Sequence, residues 1–522
     1  MEYNEPKKPF QSRNSSDKHE QRSDSFFENK GDDSKPKPKS RPRRFDDRPP
    51  QRPPMEETRK PQNIDGDAPP RLSSEKSRPR IQPAPPSDFQ KPDRRYDKRV
   101  PSSQPMPPND RFNAPRPFFQ DRGRRMDAPV KFEIKALHPN LQVLVATSLH
   151  GMEEVLAEEL FNLGAKNIKI LKRAVQFEGD QRTLYRANLE LRTAVRVLIP
   201  IAAYGNVRSE DQLYEVVRAV DWSAYINVKQ TLAVDAVTAG EFFRHSKFAS
   251  LKTKDAIVDQ FRDKFGVRPN IQLNTPSLRV HVFINEDVVE ISLDAAGDSL
   301  HKRGYRTEVL EAPINEVLAA GMLLMAGWDG SKNLIDPMCG SGTLLMEAAL
   351  IARNIPPQFK RTFFGFHQWK DFDSTLWADV VEASKAAERP FEHKILGSDK
   401  HFQAIGVAER NLLSSELTET IQIERKEFEK LTPPDGAGML IMNPPYDERL
   451  ESDDIKSLYK MIGERFKKAF MGYDAWLISS NMEAVHSIGL HASRKVQLFN
   501  GSLECRFLKY EMYEGSKKSI QE

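Results

Sequence analysis

From Asn333 onward the chain alternates short, continuous apolar runs with segments of helical periodicity, and no other feature constrains the fold as strongly. The runs are NLID (333–336), KILGSD (394–399), GMLIMNPPY (438–446) and DAWLISS (474–480). A strand that is buried on both faces of a parallel sheet reads as a continuous apolar run, because crossover helices cover each face. The sequence therefore predicts an α/β unit built on a parallel sheet. Asn500-Gly501, between two further strand-like runs, predicts that this sheet ends in an antiparallel hairpin.

The preceding region, residues 136–300, has a different pattern, in which single apolar residues alternate with other side chains. Residues 278–284 and 289–293 alternate in this way around Asn285-Glu286-Asp287, which predicts two strands and a hairpin turn. Apolar residues at helical spacing occur in 152–163 and 257–265. The region is therefore predicted to be α+β and to contain two small units.

The N-terminal part of the chain differs from both regions in composition. Residues 1–130 contain 24 of the 37 prolines and carry 30 Lys or Arg against 21 Asp or Glu. Branched apolar residues are too scarce there to offset the entropy of ordering, which predicts a disordered basic tail over residues 1–135. RRFDDR (43–48) and RRYDKR (94–99) place arginines beside aromatic rings, a combination that suits single-stranded RNA. A solubilising tail with no specific partner is the alternative.

The cysteine count and the apolar stretches restrict the class of protein. Cys339 and Cys505 are 166 positions apart, which gives neither a disulfide framework nor a metal-ligand cluster. The longest apolar stretch, Val317 to Trp328, has 12 residues and is too short to span a bilayer. The N-terminus has no apolar core of the kind found in signal peptides. We therefore expect a cytoplasmic protein that has neither a metal nor a membrane partner.

A glycine-containing loop, DPMCGSGT (336–343), follows the first apolar run and precedes a helix. Gly340 and Gly342 allow a sharp turn and a close approach of the backbone to a ligand, and Asp336 could hold an ammonium group or water. No third glycine follows at dinucleotide-binding spacing, and the next acidic strand end, Asp399, is 63 residues later, instead of about 20. The loop therefore favours a cofactor other than NAD.

Acidic and aromatic residues follow the next two strands. Asp399 ends the second strand, where a carboxylate can accept hydrogen bonds from both ribose hydroxyls of an adenosyl group. Glu427 and Phe428 follow the run IQI, where the adenine should lie. The predicted cofactor-binding residues are Asp336, Cys339, Gly340, Ser341, Gly342, Thr343, Asp399, Glu427 and Phe428.

The motif NPPY (443–446) ends the most apolar strand. An exocyclic amine on a base is a poor nucleophile, because its lone pair is delocalised into the ring. The side-chain oxygen of Asn443 and the carbonyl of Pro444 could accept its hydrogens and favour the geometry needed for methyl transfer. Tyr446 offers a ring on which a flipped base can stack. We predict Asn443, Pro444 and Tyr446 as the catalytic residues.

Five motifs occur in order, and together they resemble the bacterial THUMP-domain guanine-N2 methyltransferases of large-subunit ribosomal RNA. The resemblance extends from about residue 138 to 513, and the motifs are SLHKRGYR (299–306), APINEVLAAGML (312–323), DPMCGSGT, GSDK (397–400) and NPPYDERL (443–450). It implies a Rossmann-like class I methyltransferase domain, S-adenosylmethionine as cofactor and transfer to the 2-amino group of a guanine in 23S ribosomal RNA or a ribosomal assembly intermediate.

The resemblance also implies a domain order. We expect a ferredoxin-like segment (136–205), a THUMP RNA-binding domain (206–300) and the methyltransferase domain (301–522). The insertion that contains Trp369 and Trp377 is expected to belong to the methyltransferase domain. A basic cluster before and within a predicted helix of the THUMP domain and two arginines of SLHKRGYR are the predicted RNA-binding residues: Arg244, His245, Lys247, Lys252, Lys254, Arg303 and Arg306.

Other functions remain open at this point. A guanine-N2 methyltransferase of transfer RNA, a DNA adenine-N6 methyltransferase and a protein glutamine methyltransferase would use the same NPPY turn. A ribosome assembly factor that only binds RNA would tolerate decay of the cofactor loop or of Asn443, and neither has decayed. Two departures from the family matter. Asp447 stands where relatives often have Gly, and a second methyltransferase domain found in some relatives is expected to be absent or supplied by another protein.

Overall fold

The computed structural model describes residues 127–310, 313–445 and 452–512. The arginine and aromatic repeats of the predicted tail, together with Tyr446 and Asp447, lie outside the described residues. Val130–Phe132, which falls within the predicted tail, forms a strand that pairs antiparallel with the strand that ends at Gly205. All three side chains of this short strand are exposed, so backbone pairing and not burial holds it.

The N-terminal region forms one mixed sheet of nine strands among the described residues, so the two predicted units share a single sheet. Its path is β3-β4-β2-β5-β9-β8-β6-β7, with β1 paired to β5. The long strand β5 pairs with β2 in one half and with β9 in the other, and it thereby joins the units. The elements are β1 (Val130–Phe132), β2 (Gln142–Ser148), α1 (Glu153–Leu163), β3 (Lys166–Leu171), β4 (Ala174–Gly179), α2 (Gln181–Glu190), β5 (Ala194–Gly205), α3 (Glu210–Arg218), β6 (Thr231–Ala239), α4 (Ser246–Phe265), β7 (Asn270–Ile271), β8 (Leu278–Asn285) and β9 (Val288–Asp294).

The C-terminal region forms a seven-stranded sheet in the described residues, with the order β12-β11-β10-β13-β14-β16-β15. The first five strands are parallel, and β16 pairs antiparallel with both β14 and β15, which confirms the predicted parallel sheet with a closing hairpin. The elements are α5 (Glu316–Met325), β10 (Asn333–Asp336), α6 (Thr343–Ala352), α7 (Ser374–Ala386), β11 (Ile395–Asp399), α8 (Phe402–Ser415), β12 (Ile421–Arg425), β13 (Gly438–Met442), α9 (Ser452–Ala469), β14 (Tyr473–Ser479), α10 (Met482–His486), β15 (Arg494–Asn500) and β16 (Leu503–Glu511).

The tryptophan-containing insertion between α6 and β11 packs against the ferredoxin-like segment. Its residues Phe364, Phe366 and Val380 belong to the apolar core of the ferredoxin-like segment, where the ring of Tyr185 lies 4.7 Å from that of Phe366. Trp377 packs edge-on against Tyr185 at 5.7 Å. The insertion thus belongs to the predicted methyltransferase domain along the chain, while the preceding ferredoxin-like segment covers its apolar side chains.

In the part of the chain that the structure describes, no helix is both long and apolar enough to cross a membrane. The same residues contain no group of three or more His, Cys, Asp or Glu side chains that could hold a metal ion.

Candidate active site

A cavity of about 500 Å³ opens at the carboxyl ends of β10, β11 and β13. Ligands bind at this edge of open α/β sheets, because the loops that follow neighbouring strands diverge there. Most of the residues that the sequence predicts for this site line the cavity: Asp336, Cys339, Gly340, Ser341, Thr343, Asp399, Phe428, Asn443 and Pro444.

Two predicted cofactor residues do not line the cavity. Gly342 is the N-cap residue of α6 and has φ of 82°. A Cβ atom at this position would lie 3.1 Å from Met346 Cε. Glu427 is ion-paired with Lys430 at 2.7 Å, and Glu429 lines the cavity instead. A short 3₁₀ turn at 428–430 brings Glu429 to the cavity, and a direct ligand contact by Glu427 stays a prediction.

The glycine-containing loop is fixed to the end of β11 by backbone hydrogen bonds. The Cys339 amide donates to the Ser398 carbonyl at 3.0 Å, and the Gly340 amide donates to Asp399 Oδ2 at 3.2 Å. The other oxygen of Asp399 accepts the His401 amide at 2.9 Å. Both oxygens of this carboxylate are thus held before any ligand is present, and each keeps a further lone pair for a ligand.

Asp336 is the buried acid of the site. Its side chain accepts the Met338 amide at 3.2 Å, and burial together with the nearby Asp399 raises the pKa of Asp336 to about 8. A cationic group placed against Asp336 would favour the ionised carboxylate. Burial and the same two acids raise the pKa of the Cys339 thiol well above its usual value, which favours the neutral thiol in this wall of the cavity.

Asn443 follows the last residue of β13 and leaves its side-chain oxygen unsatisfied. Asn443 Oδ1 is buried and has no hydrogen-bond partner among the described residues. A buried acceptor without a partner costs about 1 to 3 kcal/mol. Other buried side-chain atoms of the described residues also lack partners, but among them only Asn443 Oδ1 belongs to a residue that lines this cavity. Pro444 and Pro445 line the cavity beside it, whereas Tyr446 lies outside the described residues.

One wall of the cavity was missed by the sequence analysis. Leu310, Pro313 and Ile314 line it, and they belong to a segment that we call the strap (residues 306–310 and 313–316). The run APIN in this segment was recognised only as part of the resemblance. Lys400, His401 and the hairpin residues Asn500, Gly501 and Leu503 also line the cavity and were not predicted.

Asn411 of α8 holds the strap to the glycine-containing loop. Its Oδ1 accepts the amides of Thr307 at 2.9 Å and Glu308 at 3.0 Å. Its Nδ2 donates to the carbonyls of Glu308 at 3.0 Å and Ser341 at 3.2 Å. Because Asn411 is almost fully buried, these bonds are shielded from water and fix the distance between the two cavity walls.

The two arginines of SLHKRGYR are structural, so their assignment to RNA binding was wrong. Arg303 is 1% exposed, pairs with Glu347 and donates to the carbonyls of Leu300 and Arg192. Arg306 donates to the Ile314 carbonyl and to Thr343 Oγ1, and it pairs with Glu316. Three of these partners, Glu347, Arg192 and Thr343, lie 37 to 111 residues away along the chain, so the motif alone could not reveal these bonds.

The predicted basic cluster of the THUMP domain divides into two parts. Arg244, His245 and Lys247 are exposed at the start of α4. Lys252 pairs with Asp211 at 3.0 Å, and Lys254 pairs with Asp255 at 2.7 Å. Only the first part therefore offers cations without an ion-pair partner in the described chain.

Family models match three consecutive parts of the chain. They are described as an RlmL ferredoxin-like domain at residues 143–198, a THUMP domain at 207–294 and an RMKL-like methyltransferase domain at 303–509.

Curated relatives and a solved structure agree with these matches. The ribosomal RNA large subunit methyltransferase K/L of Syntrophotalea carbinolica is 40% identical over 401 residues, which cover 74% of this chain and 54% of the relative. The chain thus spans about half the length of that relative. The putative RNA methyltransferase slr0064 of Synechocystis is 38% identical over 370 residues, covering 70% of this chain and 96% of the relative. The structure of SMU.472, a putative methyltransferase complexed with SAH, is 29% identical with a TM-score of 0.66 and covers 73% of this chain and all of that one.

Proposed function

The chain belongs to the RMKL-like methyltransferase family with a THUMP domain, and on that premise we propose that it methylates the 2-amino group of a guanine in large-subunit ribosomal RNA. The RNA substrate is the 23S ribosomal RNA or an assembly intermediate that contains it. The protein would act in the bacterial cytoplasm, where ribosomes are assembled. The methyl donor of the family is S-adenosylmethionine.

The unsatisfied oxygen of Asn443 is the observation that carries the choice of a planar amine as acceptor. A substrate N–H is the donor that this oxygen lacks, and the Pro444 carbonyl beside it can accept the second hydrogen of an exocyclic NH₂ group. Two acceptors aimed at both hydrogens turn the nitrogen lone pair toward the methyl group. They also stabilise the positive charge that develops on nitrogen during transfer.

The rest of the cavity fits the methyl donor. S-Adenosylmethionine supplies an electrophilic methyl group on a sulfonium. Asp336, whose pKa is raised to about 8 by burial, is suited to a cationic part of the donor, and the loop 339–343 lies beside it. Asp399 has free lone pairs for the ribose hydroxyls, and the buried Phe428 can contact the adenine edge. The strap covers the remaining side.

Neither Asn443 nor Pro444 has to act as a strong base. The amine that has received the methyl group is acidic enough to lose its proton to water. The protein therefore contributes position and electrostatic stabilisation instead of proton abstraction.

Nucleoside analysis tests the proposal. Ribosomal and transfer RNA from a strain without the gene would be incubated with the protein and labelled S-adenosylmethionine, digested and separated by mass spectrometry. We expect label in N2-methylguanosine of 23S ribosomal RNA alone. Label in transfer RNA would overturn the RNA class, and label on adenosine would overturn the substrate atom.

A further inference from the structure

The edge strand β3 and its turn carry cations that differ from those of α4. Lys169, Lys172 and Arg173 are exposed, and none forms an ion pair with a residue that the structure describes. On α4, by contrast, Lys252, Lys254, Arg262 and Lys264 are each paired with an aspartate. The positive charge near β3 is therefore available to an external anion, whereas most of the charge on α4 is already neutralised.

The turn between β3 and β4 has an unusual residue at its second position. Lys172 and Arg173 form a two-residue turn, since Leu171 pairs directly with Ala174. Arg173 has φ of 59°, a left-handed conformation that glycine or asparagine adopts more easily. A strained residue of this kind is a reason to look for a function of its side chain.

Hydrogen bonds and ring contacts connect this turn to the rim of the active-site cavity. Glu153 accepts the amides of Arg173 at 2.9 Å and Gly151 at 2.7 Å. Next to Gly151, the ring of His150 lies 5.4 Å from that of Phe499 on β15. The residues directly after Phe499 are Asn500 and Gly501, which line the cavity. The cationic turn, the two rings and the cavity rim thus lie in one continuous sequence of contacts.

Strand β15 adds to the same region. It is the edge strand of the methyltransferase sheet, and Lys495 on it is exposed with no ion pair to a described residue. Of the acidic side chains next to these residues in the sequence, Glu153 binds two backbone amides and lies 3.5 Å from His150 Nδ1, and Glu504 pairs with Arg506. Glu154 is exposed without an ion pair to a described residue, so one unpaired carboxylate stands against four unpaired cations. The net character of the region is therefore cationic, with two rings at its centre.

We propose that this region binds the single-stranded RNA next to the target nucleotide. We define the junction surface as Lys169, Lys172, Arg173, His150, Lys495 and Phe499. Cations bind phosphates without regard to sequence, and half-exposed rings stack on bases. A single strand is required because a guanine must leave its stack to enter the cavity. The inference rests on the proposed function. It assigns part of the RNA binding by this protein to the ferredoxin-like segment and β15.

A triple variant tests the surface without harming the fold. The full-chain variant K169Q/K172Q/R173G removes three cations, and glycine relieves the left-handed turn, so its melting temperature should equal or exceed that of the wild type. The matched control R262Q/K264Q/K468Q removes three exposed cations that the structure places in ion pairs. Binding of a fluorescent single-stranded RNA is measured at several salt concentrations, together with KM and kcat on 23S RNA.

We expect the triple variant to lower the salt dependence of RNA binding by about 0.7 in log–log slope for each phosphate that the protein no longer neutralises. KM for RNA should rise about tenfold or more, while kcat and affinity for S-adenosylmethionine stay unchanged. A salt slope and KM equal to those of the control would overturn the proposal, leaving the lysines only to block edge-strand pairing. Equal competition by polyglutamate would overturn RNA as the occupant. If the wild type methylates no RNA, the proposed function fails. The comparison of RNA binding by the triple variant and by the control still tests whether the junction surface binds RNA.

Discussion

The two sides of the active-site cavity differ in how far their polar groups are already bonded. On the side of β10 and β11, both oxygens of Asp399 accept backbone amides. On the side of β13, Asn443 Oδ1 is buried without a partner among the described residues. A group that is already bonded is positioned before ligands bind, whereas an unbonded acceptor gains its partner only from the substrate. Changes on the first side should therefore act on binding, and changes on the second side on rate.

The largest effect is expected for Asn443→Ala. Loss of one pre-aimed polar group costs about 10²- to 10³-fold in rate at comparable sites, and single-turnover methylation should fall by that factor. Affinity for S-adenosylmethionine should change far less. Thermal stability should also fall little, because the oxygen that is removed makes no hydrogen bond in the described protein.

The conservative variant Asn443→Asp is the control for this prediction, since it keeps an acceptor at the same position. Its rate should lie between those of the wild type and Asn443→Ala. An Asn443→Ala protein as fast as the wild type would remove Asn443 from the chemical step and end the contrast between the two sides.

Asp399→Ala should act mainly on binding. The variant has no carboxylate to accept hydrogen bonds from the ribose, and such bonds contribute about 1.5 to 3 kcal/mol. Calorimetry should therefore show that affinity for S-adenosylmethionine is weaker by about ten- to 150-fold. Asp399→Asn keeps one acceptor oxygen and should weaken binding less. If the variant had unchanged affinity but a lower single-turnover rate at saturating S-adenosylmethionine, Asp399 would act in the chemical step and not in cofactor binding.

Asn411→Ala sharpens the comparison, because this residue does not itself line the cavity yet joins two of its walls. Without its bonds to the strap and to Ser341, the KM for S-adenosylmethionine should rise about tenfold, which corresponds to about 1.4 kcal/mol. The kcat should change less than twofold.

A loss of stability alone would not move KM in a folded enzyme, so KM separates a positioning role from a merely structural one. Arg410→Gln, which removes the exposed ion pair with Glu308, is the matched control and should leave KM unchanged. Equal KM values for Asn411→Ala and the wild type would show that the strap does not depend on Asn411.

The smallest effect is a pH dependence from Asp336. Its pKa is raised to about 8, so below that pH the free protein holds a proton that a bound cation would displace. Affinity for S-adenosylmethionine should therefore rise about fivefold between pH 7 and pH 8 and then level off. Calorimetry in buffers of different ionisation enthalpy should detect proton release.

The Asp336→Asn variant has no carboxyl group to titrate at this position, so its profile of affinity against pH reports only the titration of the ligand. The difference between this profile and that of the wild type is the contribution of Asp336. Identical profiles for the wild type and Asp336→Asn would separate Asp336 from the cationic part of the ligand.

The sequence by itself determined the parallel sheet, its closing hairpin and most of the cavity. These features are local: the loop 336–343 and Asn443-Pro444 each follow a strand whose apolar run is visible in the sequence. Because the carboxyl ends of parallel strands meet at one edge, the order of the motifs was enough to bring Asp336, Asp399 and Asn443 together.

Only the tertiary structure decided which charges are free and which surfaces are covered. Arg303 reads as a surface cation in its motif, yet Glu347, 44 residues away, holds it in the core. Trp377 lies between two methyltransferase motifs along the chain, yet it packs on Tyr185 of the ferredoxin-like segment. Pairing and burial depend on partners that are distant along the chain, and a pattern of neighbouring residues carries no information about them.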